Sequence, residues 1–305
     1  MNQTLIQHAG LTLLSIPTPA EADLAQVRLL VRLHPLHAED VLSHLQRPKL
    51  DEEDEGDYLF LVLHIPTFDK TTRLTTASEI DLVVASRVLI ATYDANARPM
   101  FTLMEDLQSP ETQARLMSRG VGFLLYSILE ALLKYCFPMV YRLDQRVGQL
   151  QETIFKQDAQ KVVEELSYLR RDVISLRRIL HPNFDVIESL ALQPRPFLNV
   201  DEDAYFGDLT DNLDKLWDML EEQKEMIEGL DSTIFNWNSY RLNREMKTFT
   251  LISVIFLPLT LVASILGMNV VIPFGEHPLS LVFALAFMAV LLLGMLAIFR
   301  RNRWL

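Results

Sequence analysis

At 305 residues, the chain can hold one or two domains with sizeable cores. Half of it is apolar and its mean hydropathy is positive, so membrane spans are the first thing to look for. The net charge of −12 argues against a nucleic-acid partner, and the lone Cys136 excludes an intrachain disulfide and reads as a small apolar filler.

The N-terminal part alternates helix and strand signals. Thr18-Pro19-Ala20-Glu21 has the form of a capping box with proline at the first helical position, predicting a helix to about Leu33. A second short helix is expected over His37–Leu45. His34 and His37 in HPLH could share a face, but Pro35 makes chance placement the simpler reading. DEEDEGD (51–57) reads as a charged turn. YLFLVLHI (58–65), EIDLVVA (79–85) and VLIATYD (88–94) read as strands, with the polar link FDKTTRL after the first. Ser86-Arg87 makes a tight turn, so an antiparallel meander follows. This outlines an α/β domain over 1–110.

A helical hairpin is expected over 111–200. One helix runs from about Glu111 to Phe155, bent at Pro138, and a second covers Ala159–Leu180 before His181-Pro182. QPRPFLN (193–199) ends helix formation, because two such closely spaced prolines cannot lie inside one helix. After Asp201 no proline occurs until Pro258. One helix is therefore predicted over Asp203–Leu266, about 95 Å long, within a stalk-and-span segment 201–268. A helix of that length needs neighbours.

Two windows are uncharged and long enough to cross a bilayer. They are Phe249–Leu266, with 18 residues, and Leu279–Phe299, with 21. Arg241, Arg244 and Lys247 precede the first, and Arg300, Arg301 and Arg303 follow the second, in the tail 300–305. The outer loop 269–278 has no Lys or Arg, so both termini are expected in the cytoplasm. Trp304 suits the interface. The first 20 residues lack a secretory signal, so the N-terminal domain is expected to stay inside.

Along the first span, Asn243, Met246, Thr250, Ser253, Leu257, Thr260 and Ser264 recur at spacings of 3 and 4, the seam of a helix packed around an axis. Five of the seven are polar and uncharged. Such a stripe can be a helix–helix contact. Alternatively it lines a pore, and since two spans cannot enclose water, several copies would then close into a ring. An uncharged lining of hydroxyls and amides suits Mg²⁺ that keeps its water shell. Met246 and Leu257 would be apolar constrictions.

NREMKTFTLISVIFLPLTLVASILGMN, the ending RRNRWL and HAEDVLSHLQRPKLDEEDEGDYLFLVLHI together resemble the CorA-type magnesium channels, the GMN family, over nearly the whole chain. The resemblance implies an α+β cytoplasmic domain, a long stalk helix and two C-terminal transmembrane helices. The whole is a mainly helical membrane protein, homopentameric in the inner membrane. It implies Gly267, Met268 and Asn269 as the outer selectivity motif and Asn243, Leu257 and Thr260 as pore-lining positions. It also implies Asp208 as part of a regulatory Mg²⁺ site between subunits that holds the channel closed. The partner acid is expected in the N-terminal domain, with Glu79 or Asp81 as candidates, although a solvated surface charge is the preferred reading of both. Mg²⁺ is then both cargo and regulator, and no organic cofactor is implied. Leu266 replaces the family's usual tyrosine, Leu257 its common methionine, and VVIPFGEHP supplies only Glu276 as an outer acid.

Three alternatives remain. A transporter of Zn²⁺, Co²⁺ or Ni²⁺ from the same family is one, although soft zinc selectivity uses Cys or His and only His277 lies near the mouth. A membrane-anchored enzyme lacks support, for HExxH, P-loop, GxSxG and CxxC motifs are absent. A non-conducting anchor is the third.

Overall fold

The computed structural model describes residues 3–43, 46–53, 58–69, 71–156, 158–268, 279–302 and 304. The chain divides into two compact units, Met1–Asp231 and Ser232–Leu305.

The first unit is built on a six-stranded sheet. Its strands are β1 (Thr4–His8), β2 (Leu11–Pro17), β3 (Lys49–Glu53), β4 (Tyr58–Asp69), β5 (Leu74–Ala85) and β6 (Val88–Tyr93), in the order β1-β2-β6-β5-β4-β3. β2 and β6 run parallel and every other pair antiparallel. Ser86-Arg87 is the two-residue turn expected, with Ala85 paired to Val88. The polar link extends the flanking strands until Asp69 faces Leu74. The hairpin joining β1 and β2 was not expected. It turns through Ala9 (φ 48°) and Gly10 (φ 80°), the two left-handed residues that match strand twist in a tight hairpin.

Strand alternation sends side chains to two faces. On one face Leu14, Ile16, Phe60, Val62, Val83 and Ile90 form a core with α1 (Leu24–Leu30) and α2 (Pro35–Leu42). The other face is covered by α5 (Val121–Thr153) and α6 (Ala159–Leu180), which pack on β4 and β5. Two further helices, α3 (Arg98–Asp106) and α4 (Pro110–Met117), pack on α5, and α7 (Asn183–Leu192) packs on β3 and β4.

Several expectations are corrected. Thr18 has φ 53° and caps nothing; Asp23 instead accepts the backbone N–H of Ala20 at 2.9 Å, and α1 stops at Leu30. The second helix begins at Pro35, with His34 Nδ1 accepting the Leu36 N–H as its cap. Lys49–Glu53 is an edge strand rather than a turn; residues 54–57 lie outside the described residues. The single helix from Glu111 is two, broken at Gly120 (φ 99°), while Pro138 is accommodated inside α5. α6 has the predicted bounds, opened by Asp158, whose side chain accepts the Gln160 N–H.

The QPRPFLN break is held by Arg195, which is 4% exposed. Its guanidinium pairs with Glu52 of β3 and donates to the Ser189 and Gln193 carbonyls, and its N–H donates to Glu202. Beside it, Leu198 and Val200 lie against Gly122 of α5 so closely that a side chain there would collide. These contacts fix the start of α8 (Glu202–Leu266), one continuous helix of 65 residues. The second unit contains the C-terminal part of α8 and α9 (Ser280–Arg301), both long and apolar enough to cross a membrane. α5 also meets that criterion by length and composition, but Leu124, Leu125, Ile128, Leu132 and Val140 are buried in the core of the first unit.

Candidate functional site

The seven stripe positions all fall on α8 and are all solvent-exposed in the single chain. The flanking apolar side chains are exposed too, with Phe249 at 65% and Phe256 at 61%. A surface so apolar has to be covered by lipid or by other helices. Within the stripe, Thr250 Oγ1 donates to the Met246 carbonyl at 2.8 Å and Thr260 Oγ1 to the Phe256 carbonyl at 2.7 Å. Each hydroxyl proton is therefore spent on its own helix. The oxygen lone pairs stay outward, so these threonines present acceptors rather than donors.

α8 ends at Leu266. The Gly267 N–H donates to the Ala263 carbonyl at 3.0 Å and the Met268 N–H to that of Ile265 at 3.3 Å. A Cβ on Gly267 would stand 3.3 Å from the Ala263 oxygen, a tight contact at the helix end. Met268 is 59% exposed. Asn269 and Glu276, with the rest of the loop 269–278, lie outside the described residues.

In the first unit, Asp208 is exposed on α8. Its Oδ2 lies 3.2 Å from the Tyr126 hydroxyl and accepts from Asn212 Nδ2 at 3.2 Å. The same phenol is 3.2 Å from Glu130 Oε1, which Lys134 pairs at 2.7 Å. Burial, with Glu130 and Asp208 alongside, raises the Tyr126 pKa above its ordinary range, so the phenol stays a donor. Glu130 was missed in the sequence. Tyr126 and Glu130 stand four apart on one helical face, but nothing local could place them beside a residue 82 positions later.

The reading of Glu79 and Asp81 as solvated surface charges is corrected. They are 6% and 5% exposed, on the sheet face beneath α2. Glu79 Oε2 accepts the Gln46 N–H at 2.8 Å and lies 3.3 Å from His64 Nε2. Asp81 Oδ2 accepts from Thr92 Oγ1 at 3.2 Å. The remaining oxygens, Glu79 Oε1 and Asp81 Oδ1, have no hydrogen-bond partner among the described residues. Carboxylates so enclosed are not presented to another chain. Among the described residues, no group of three or more His, Cys, Asp or Glu has metal-ligand geometry.

The family model for the CorA-like Mg²⁺ transporter protein matches residues 9–301. The chain belongs to that family. This CorA-like chain is 30% identical over 289 residues to YfjQ of Bacillus subtilis, covering 94% of the chain and 87% of that protein. It is 27% identical to the cobalt/magnesium transport protein CorA of Thermotoga maritima, covering 90% and 77%. It is 23% identical to the zinc transport protein ZntB of Yersinia pseudotuberculosis, covering 85% and 77%. The structure of the CorA magnesium transporter from Methanocaldococcus jannaschii superposes with a TM-score of 0.87 at 20% identity, over 100% of this chain and 95% of that one. The chain is thus a CorA-family divalent cation transporter with transmembrane helices, on an α+β domain joined to a long helix.

Proposed function

We propose that copies of this chain, five by resemblance, close into a ring in the inner membrane and pass hydrated Mg²⁺ between their α8 stripes. Both termini lie in the cytoplasm, and the apolar flanks of the stripe meet lipid and neighbouring helices. The observation that carries this reading is the chemistry of the stripe: exposed, uncharged and rich in outward oxygen acceptors. Water bound to a cation turns its hydrogens outward, so a wall that holds the hydrated ion must accept hydrogen bonds. Mg²⁺ gives up its shell reluctantly. Fixed carboxylates would bind it harder and slow its release. Asn243 and Asn269 supply amide rings at the two ends. Gly267 and Met268 set the outer mouth, Glu276 adds an acid beyond it, and Met246 and Leu257 form constrictions that exclude water when narrow.

Regulation is assigned to Asp208. Mg²⁺ bound there between subunits favours the closed ring and its loss leaves acids that repel, a shift driven by differential affinity for the two states. The exposure of Asp208, and the second carboxylate that Tyr126 holds beside it, support this role. No organic cofactor enters the scheme.

A second reading, transport of Zn²⁺ or of several divalent ions, is favoured by the similarity to ZntB. Neither uncharged window contains Cys or His, so zinc too would have to cross hydrated. Flux of Mg²⁺, Zn²⁺ and Co²⁺ into reconstituted vesicles separates the readings, and no flux of any ion would leave a membrane anchor. Asn269→Ala is expected to abolish Mg²⁺ uptake while the oligomer still forms. Full uptake by that variant refutes the assignment.

A further inference from the structure

On a chain of net charge −12, one face of α6 is basic. Ser167, Arg170, Arg171, Ile174, Ser175 and Arg178 follow at helical spacing and, with Leu74–Thr76 at the start of β5, line an open groove of about 520 Å³. Among the described residues no carboxylate lines it. The Arg171 Nη2 donates to the Arg73 carbonyl and ties the β4–β5 hairpin to the helix.

The charges of these arginines are unequally satisfied. Arg170 pairs with Asp231 at 2.9 Å. Arg171 is 3.8 Å from Asp172, whose other oxygen is taken by Arg146 at 3.0 Å, and its Nε is buried with no partner among the described residues. Arg178 is exposed and forms no hydrogen bond or ion pair among them. At this groove Arg178 holds a free guanidinium and Arg171 Nη1 makes no hydrogen bond among the described residues, next to the hydroxyls of Thr75, Thr76 and Ser175. Guanidinium forks match phosphate oxygens, and hydroxyls can donate to the remainder. Ile174, 57% exposed, and Leu74, 38% exposed, offer apolar contact to an organic portion. The volume falls in the range of about 300–1,000 Å³ usual for small-molecule sites.

We propose that this groove binds a phosphate-bearing small molecule of nucleotide size, with Arg171 and Arg178 holding the phosphates. Such a ligand would meet the transporter at a site separate from the stripe and from Asp208.

The test is calorimetric titration of the full-length protein in detergent, at fixed free Mg²⁺, with ATP, AMP and inorganic phosphate. Affinity should fall in that order, as charge and then the organic portion are lost. Arg178→Glu should weaken ATP binding about tenfold or more, the loss of one charge-assisted contact. Since Arg178 makes no hydrogen bond or ion pair among the described residues, the thermal midpoint and oligomer should be unchanged; Arg178→Gln repeats the test if the reversal disturbs either. No binding of ATP at millimolar concentration, or equal affinity in wild type and variant, overturns the proposal. Flux measured on Arg178→Glu without nucleotide should match wild type, which separates this result from any failure of the pore assignment.

Discussion

Asp81 offers a stability prediction whose sign depends on pH. It sits 5% exposed on β5, directly opposite Thr92, with one oxygen bonded at 3.2 Å and the other unpartnered. Glu79 lies two residues along the same face with His64 opposite it, and Lys49 and Asp40 act from β3 and α2. Burial first, and then the Glu79 charge, raise the Asp81 pKa well above the ordinary carboxyl value. Between the unfolded pKa, about 3.9, and the raised folded one, the native state binds the extra proton. Stability is therefore lost as pH rises through that window, and the loss is complete above the folded pKa. Asp81→Asn keeps an oxygen to accept from Thr92 and removes the titration. At high pH the wild type buries a charge that the neutral amide does not, so the variant should gain about 1–3 kcal/mol at pH 8, and the gain should shrink towards pH 5. For a unit of this size each kcal/mol moves the melting midpoint by about 2–4 °C. Melting of the full-length protein in detergent, followed by tryptophan fluorescence across that pH range, reads the difference. A variant destabilised equally at both ends, or a gain independent of pH, would refute the reasoning.

Gly122→Ala should destabilise the first unit by about 1–3 kcal/mol, the usual cost of overpacking. Its Cβ would stand 2.5 Å from the Leu198 carbonyl oxygen and 2.8 Å from Val200 Cγ2, and a backbone oxygen cannot swing aside. An unchanged melting midpoint counts against the packing described. Asp208→Ala should raise the Mg²⁺ concentration needed for protection from protease by about tenfold, as expected for one lost charge-assisted ligand. A midpoint that stays put removes Asp208 as the sensor.

The long helices were legible because their signals are local and strong. Asp158 caps α6, the prolines of 193–199 interrupt the chain, and no proline follows Asp201 until Pro258. The β1–β2 hairpin was not legible. Its turn is Ala9-Gly10 rather than Asn-Gly, and its strands are short apolar runs whose period does not decide between helix and strand. β3 was hidden for a different reason: it is an edge strand, where Asp51, Glu52 and Glu53 resist pairing with another chain, and a run of acids reads as a turn. The burial of Asp81 could have been found. In EIDLVVA, residues 79, 81 and 83 share one face, and Val83 marks that face as core. The Asp208–Tyr126–Glu130 network could not, because its members meet only through the packing of α8 on α5.

The two spans differ in what they can offer water, and under the proposed assembly that difference decides which one faces the axis. Between Leu281 and Phe299 the second span has no polar side chain. Its Phe283, Phe287 and Val290 are 64%, 57% and 69% exposed. Turned inward, such a helix would line a cavity with methyl and aromatic groups and hold no hydrated ion. The first span carries Thr250, Ser253, Thr260 and Ser264 on one side, and threonines whose protons are already bound to their own helix. Such groups facing lipid would leave their acceptors without donors, a cost that disappears when they meet water. Under the proposed assembly, axis-facing α8 and lipid-facing α9 would satisfy both helices at once.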